Sequence, residues 1–147
     1  MNAWHLASWD EAWALLRTGV AHAFSDNQKG DPQRPSFHEL SSVVRDVVQV
    51  RRWEKDLYIS LCDELQARAD ACVSQCNDVT TVAAAWRAFS SSLGTVVTVF
   101  RSLDAALRVG LDSVWSVGTT CLRRSLAQRG LYEPMTRELV KLSLIHI

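Results

Sequence analysis

Apolar side chains recur along this chain at spacings of three and four residues, with polar positions between them, which is the period of an α-helix. Trp9, Trp13, Leu16, Val20 and Phe24 share one such face, and Ser8 with Glu11 forms an S-x-x-E capping box ahead of it. A polar stretch from Ser25 to Pro35 reads as a loop. Ser36 and Glu39 make a second capping box, opening a helix on which Phe37, Leu40, Val44, Val47 and Val48 share a face, with Val43 and Val50 outside it. A third helix is predicted from Glu54 to Cys76, ended by Asn77 and Asp78. The fourth pattern is the longest and runs unbroken from Val79 to Leu107 through Trp86, Phe89, Leu93 and Phe100. Its β-branched segment Gly94 to Phe100 looks locally like a strand, but the period on both flanks argues for helix. Gly110 and Asp112 mark its end. Val114, Trp115, Val117, Leu122 and Leu126 define a fifth helix ending near Gly130, and Pro134 suits the first turn of a short last one. The expected class is an all-α bundle of five to six helices, with Trp86 on the core face of the fourth.

With 147 residues, 48% of them hydrophobic and 22% charged, the chain is of a size and balance that one globular domain needs. Sixteen Lys and Arg balance sixteen Asp and Glu, so the basic excess of a dedicated nucleic-acid binder is missing and no direct nucleic-acid partner is expected. The longest uncharged stretch, Ala88 to Phe100, falls short of the roughly 18 to 20 residues a membrane-spanning helix needs, so no membrane partner is expected. The N-terminal residues show no basic start followed by an apolar core. The four cysteines are therefore expected as reduced, packed thiols in a cytoplasmic and nuclear protein.

Catalytic and metal-binding spacings do not emerge. His5, His22, His38 and His146 are scattered, and no H-E-x-x-H, G-x-S-x-G, Gly-rich phosphate loop or calcium loop is present. Cys72 and Cys76 lie one helical turn apart with no third ligand nearby in sequence, so core packing is the expectation. Asp10 with Glu11, and Asp63 with Glu64, are helical neighbours that diverge by about 100 degrees and do not converge on one substrate atom. Arg51, Arg52, Lys55, Arg123 and Arg124 could touch phosphate, but at zero net charge they read as partners of a helix C-terminal dipole or as plain surface. The expectation is a non-catalytic protein with no metal and no cofactor. Phe37 and Trp115, each on the first turn of its helix, belong either to the core or to an interface, where large aromatics supply much of the binding energy.

Five short segments, in order, resemble the first repeat at the N-terminus of cullins, the scaffolds of RING-type ubiquitin ligases. Asp10 to Val20 (D-E-A-W-A-L-L-R-T-G-V) is similar to the opening cullin helix, and Ser36 to Leu40 (S-F-H-E-L) to the E-E-L-Y start of the second. Leu57 to Cys62 (L-Y-I-S-L-C) resembles the L-Y-x-x-L of the third. Ala85 to Phe89 and Val99 to Asp104 resemble segments of the fourth. Ser113 to Arg123 (S-V-W-S-V-G-T-T-C-L-R) resembles the fifth. Ser41 replaces the usual Tyr, residues 105–109 replace R-x-Y-V, and Leu122 replaces the Phe before Arg, as in a divergent member. The resemblance divides the chain into an N-terminal extension (1–8), a first cullin repeat (9–142) and a non-matching tail (143–147).

The resemblance implies a ubiquitin-ligase scaffold fragment that docks a substrate adaptor through its second and fifth helices. Carried over by position, the contacts are Phe37, His38, Leu40, Ser41, Val44 and Arg45 on the second helix, with Val114, Trp115, Gly118 and Leu122 on the fifth. Gly118 is expected to admit the partner's close approach. Leu40, Val44 and Leu122 are the ones expected to face the core instead. The S-V-W-S-V-G segment leans toward a cullin-4-like member, whose adaptor is a multi-propeller protein of the damaged-DNA-binding type. S-F-x-E-L leans toward cullin-3, whose adaptors are BTB proteins. The RING subunit's site lies outside a first repeat. A reading of another class is a helical bundle that binds an apolar small molecule in a closed pocket.

Overall fold

Four helices begin where a side chain satisfies backbone N–H groups that the first turn leaves unpaired. In the computed structural model, which describes residues 8–25, 35–107, 110–131 and 137, helix α1 spans Trp9–Ala23 and starts at Ser8, whose Oγ accepts from the Glu11 N–H at 3.2 Å. Helix α2, Phe37–Arg45, has both halves of the capping box between Ser36 and Glu39. Helix α3 covers Glu54–Val73. Helix α4, Val79–Val99, opens on a reciprocal Asp78–Thr81 box, and helix α6, Val114–Gln128, opens on Ser113. The Thr81 N–H and hydroxyl hold the Asp78 carboxyl below its ordinary pKa. The contribution of this cap is therefore complete above the ordinary carboxylate value and is lost as the pH falls through the lowered one.

The fourth pattern is not one helix. It stops at Val99, turns at Phe100, and restarts as the short helix α5, Arg101–Ala106. Its last turns are crowded with β-branched side chains, which fit poorly in a helix, and the Thr98 hydroxyl competes for the Gly94 carbonyl at 3.0 Å. The turn lets Phe100 and Leu103 both enter the core. Asp104 then accepts from the Val114 N–H at 2.9 Å, tying α5 to the start of α6. The second helix also departs from its expected face. After Arg45 it widens into a π-helical turn, Asp46–Val50, and the phase shift keeps Val47 and Val48 inside. Val43 is buried too, against expectation, whereas Val50 is 69% exposed. Trp86 is half-buried against the core rather than inside it. The extension 1–7, the loop 26–34, the helix expected from Pro134 and the tail 143–147 lie outside the described residues.

All described elements are helical, and they enclose one apolar core to which every one of them contributes. Helices α3 and α6 run side by side in the same direction, held in register by polar ties along their length. Tyr58 donates to the Asp112 carbonyl at 3.0 Å, Gln66 donates to Ser125 at 3.0 Å, the Ser125 hydroxyl donates to Asp70, and Arg129 donates to the Ser74 carbonyl at 3.2 Å. Glu64, only 6% exposed, faces α1 and is held by Arg17 at 3.2 Å and Arg68 at 2.9 Å.

Two glycines let a leucine of a neighbouring helix lie directly on the backbone. A Cβ on Gly19 of α1 would sit 2.6 Å from Leu40 Cδ1 of α2, and one on Gly118 of α6 would sit 2.5 Å from both Cδ atoms of Leu93 of α4. Leu40 and Leu93 are buried, so neither has room to withdraw. Gly94, inside α4, has nothing within 4 Å of the same position. Gly118→Ala is therefore expected to destabilise the fold by about 1 to 3 kcal/mol, while Gly94→Ala is expected to stabilise it by up to about 1 kcal/mol through helix propensity; urea unfolding of the two variants checks the opposite signs. The single variants Arg17→Met and Arg68→Met each leave Glu64 one guanidinium. The double variant leaves none, and is expected to lose about 1 to 3 kcal/mol more than the two singles summed in the same assay.

Candidate docking surface

The ten residues carried over to an adaptor-binding face separate into two groups. On α2, Phe37, His38 and Arg45 are exposed and Ser41 is half-buried, forming one outward stripe. Leu40 and Val44 point the other way and are buried, Leu40 because it fills the gap over Gly19. On α6, Trp115 is 44% exposed, whereas Val114 and Leu122 are core residues. Val114 closes against Tyr58, Leu61, Cys62 and Leu65 of α3. Gly118 is buried as well, and the space its missing Cβ leaves is taken by Leu93. The close approach that Gly118 permits is thus internal, between α4 and α6. Leu40, Val44, Val114, Gly118 and Leu122 offer no surface to a partner in this conformation.

The five that remain, Phe37, His38, Ser41, Arg45 and Trp115, lie on two helices with no extended contact between them. Helix α4 packs against both. Phe37, 41% exposed, lies at the rim of the nearly filled gap between α1, α2 and α4, beside Ala23, Val96 and Val99, and Trp115 sits on the turn just before Gly118, which covers Leu93. Both aromatics occupy the first turn of a capped helix, three residues ahead of the residue that seats the helix on its neighbour. A helix turns 300 degrees in three steps, so each ring is rotated to the edge of the buried contact rather than into it.

The remaining polar groups serve structure. Burial pushes the thiols of Cys62, Cys72, Cys76 and Cys121 above the ordinary cysteine pKa. Cys76 directs its thiol at the Cys72 carbonyl, 3.7 Å away, and Cys72 at the Ala85 carbonyl, 3.8 Å away. Among the described residues no group of three or more His, Cys, Asp or Glu side chains is placed to hold a metal ion. Arg51 lies over the Trp53 ring at 5.4 Å and near Asp46, and Trp53 meets Trp9 edge to face, with Trp9 stacked on Trp13. This cluster of three tryptophans, joined across the α1 and α3 ends, is a contact that helical spacing did not reveal. The gaps inside the bundle are filled: the one between α1, α2 and α4 has a volume of 10 Å³, and the one between α3 and α6 has none. Larger clefts open on the surface, one of 560 Å³ along α3 and α4 and one of 340 Å³ beside the start of α3.

The fold defines the protein as an all-α helical bundle. No family model, no curated protein and no solved structure matches the chain. Among the described residues no helix is long and apolar enough to cross a membrane. Because the cysteine pKa values are raised, little thiolate is present at neutral pH, and alkylation by iodoacetamide is expected to be slower in the folded protein than in urea, at pH 7 as at pH 8. Mass spectrometry of quenched time points reads this, and a cysteine alkylated faster in the folded protein would reveal an activated thiol.

Proposed function

We propose that this chain is a non-catalytic docking module, a cullin-type first repeat that receives a substrate adaptor of the multi-propeller class on the outer faces of α2 and α6. The observation that carries the reading is the exposure of Phe37 and Trp115, two large apolar rings on the first turns of the two helices for which the resemblance implies docking. Around them His38, Ser41 and Arg45 supply the polar rim that protein interfaces place around apolar anchors. The all-α fold and the order of the five cullin-like segments support the same reading. In such a ligase the role of the repeat is geometric: it holds the adaptor rigidly, and the transfer chemistry belongs to subunits bound elsewhere on the scaffold.

Titration calorimetry against a purified multi-propeller adaptor and a purified BTB adaptor tests the proposal. Binding to the propeller protein is expected, with Phe37→Ala and Trp115→Ala each weakening it by about 1 to 3 kcal/mol. Neither substitution is expected to change helix content, since both rings lie at the edge of the core and not inside it, whereas Leu40→Ala is expected to cost about 2 to 5 kcal/mol of folding stability. Binding to the BTB protein alone would assign the cullin-3 type. Binding to neither, or binding that both aromatic variants leave unchanged, would overturn the reading.

A further inference from the structure

Helices α3 and α6 each carry a free thiol at matching positions. Gln66 of α3 donates to Ser125 of α6 at 3.0 Å, and one turn earlier on each helix stand Cys62 and Cys121. Because the helices run in the same direction, that step back sets the two cysteines opposite each other. A further turn back, Tyr58 donates to the Asp112 carbonyl at 3.0 Å, so the pair is bracketed by a tie on either side. Cys62 faces α6, since it lines the filled gap between the two helices together with Val114 and Val117. Cys121 lies one turn beyond Val117, which places the second sulfur at the far end of that gap. After burial, the presence of Cys121 is the next largest cause of the raised Cys62 pKa, as two neighbouring sulfurs require.

We infer that Cys62 and Cys121 form a modification site, at which a peroxide generates a disulfide that ties α3 to α6. Cys62 is half-buried and Cys121 is only 5% exposed, so the oxidant meets Cys62 first. The Cys62 sulfur attacks a peroxide oxygen, the O–O bond breaks, and a sulfenic acid forms with release of water when the oxidant is hydrogen peroxide. The Cys121 sulfur then attacks the Cys62 sulfur, the S–OH bond breaks, and the hydroxyl leaves as water with the Cys121 proton. Two thiols are oxidised to one disulfide, and one peroxide is reduced. Burial holds both thiols protonated, so the first step is slow, while the second joins neighbours already held together by the fold. Cys72 and Cys76 are disposed differently: they follow each other along one segment and point at the carbonyls of Ala85 and Cys72. The Cys62–Cys121 bond closes residues 63–120 into a loop, which restricts the unfolded chain and so favours the folded one.

The test treats the folded 147-residue chain with hydrogen peroxide, blocks the remaining thiols with N-ethylmaleimide, and maps the unreduced peptides by mass spectrometry. A Cys62–Cys121 cross-link is expected, formed at a rate independent of protein concentration and removed by dithiothreitol. Cys62→Ser is expected to abolish it, and Cys121→Ala to leave a Cys62 sulfenic acid that dimedone traps. Cys72→Ala is expected to leave the cross-link unchanged. In urea the same treatment is expected to pair the cysteines without this preference. The urea midpoint of the cross-linked protein is expected to lie above that of the reduced protein, because a bond that fits the native register adds no strain. Circular dichroism checks that each variant folds, and the map of the unsubstituted chain decides the matter even where one does not. A Cys72–Cys76 bond in its place, sulfinic acid at Cys62 without a cross-link, cross-links only between chains, or a lowered urea midpoint would each overturn the inference.

Discussion

Two leucines seated on two glycines set the geometry on which everything else depends. Leu40 occupies the space where Gly19 has no Cβ, and Leu93 does the same over Gly118. Each contact draws a pair of helix backbones closer than any larger residue would permit, and the Leu40 contact closes the gap between α1, α2 and α4, where almost no free volume is left. The consequence reaches the surface. Once Leu40 faces inward, Phe37, one turn earlier, is placed at the edge of the contact, and Gly118 does the same for Trp115. The aromatics are exposed because the residues three positions later are committed to the core.

Polar interactions then choose among the ways such a bundle could slide. The buried Glu64 carboxylate joins α1 to α3 through Arg17 and Arg68. The Ser125–Asp70 and Tyr58–Asp112 bonds fix where α6 sits along α3. Asp104 pins the first N–H of α6 to α5. Ties of this sort add little net stability compared with apolar burial, since the buried groups give up their hydration to make them, and their value lies in permitting one register. The 340 Å³ cleft beside the start of α3 follows from the same arrangement. With Asp104 and Asp112 engaged at the start of α6, Leu107 and Leu111 are left beside Tyr58 and Ile59.

Much of the helix layout was legible because its signals are local. The S-x-x-E boxes at Ser8 and Ser36 and the Asn77–Asp78 break mark real helix starts and breaks. What depended on distant neighbours was not legible. The period through Gly94 to Leu107 continues across the turn at Phe100, since both segments face the same core, so spacing showed no break. The π turn after Arg45 keeps Val47 and Val48 inside, as their spacing predicts, while Val43, ahead of that turn and off the expected face, is buried as well. For the site, helical spacing told which residues share a stripe but not which edge of it meets solvent. The carry-over by resemblance set Leu40 and Val44 beside Phe37, and Val114 and Leu122 beside Trp115; Leu40, Val44 and Leu122 were the ones expected to face the core and do so, and Val114 joins them there. Gly118 shows the limit plainly: its small size did signal a close approach, but only the fold shows that Leu93 makes it. Ile59 lay off the Leu57, Leu61 and Leu65 face and so carried a signal of exposure, while nothing local paired it with Leu111.

The most direct measurement is a nuclear Overhauser spectrum of the protein with labelled leucine methyl groups and otherwise deuterated side chains, leaving glycine Hα protons visible. Strong cross-peaks are expected from the Leu93 methyls to Gly118 Hα and from the Leu40 methyls to Gly19 Hα, the signature of leucines lying directly on the glycine backbone. Absence of both, in a sample that circular dichroism shows to be folded and helical, would contradict the arrangement that turns Phe37 and Trp115 outward.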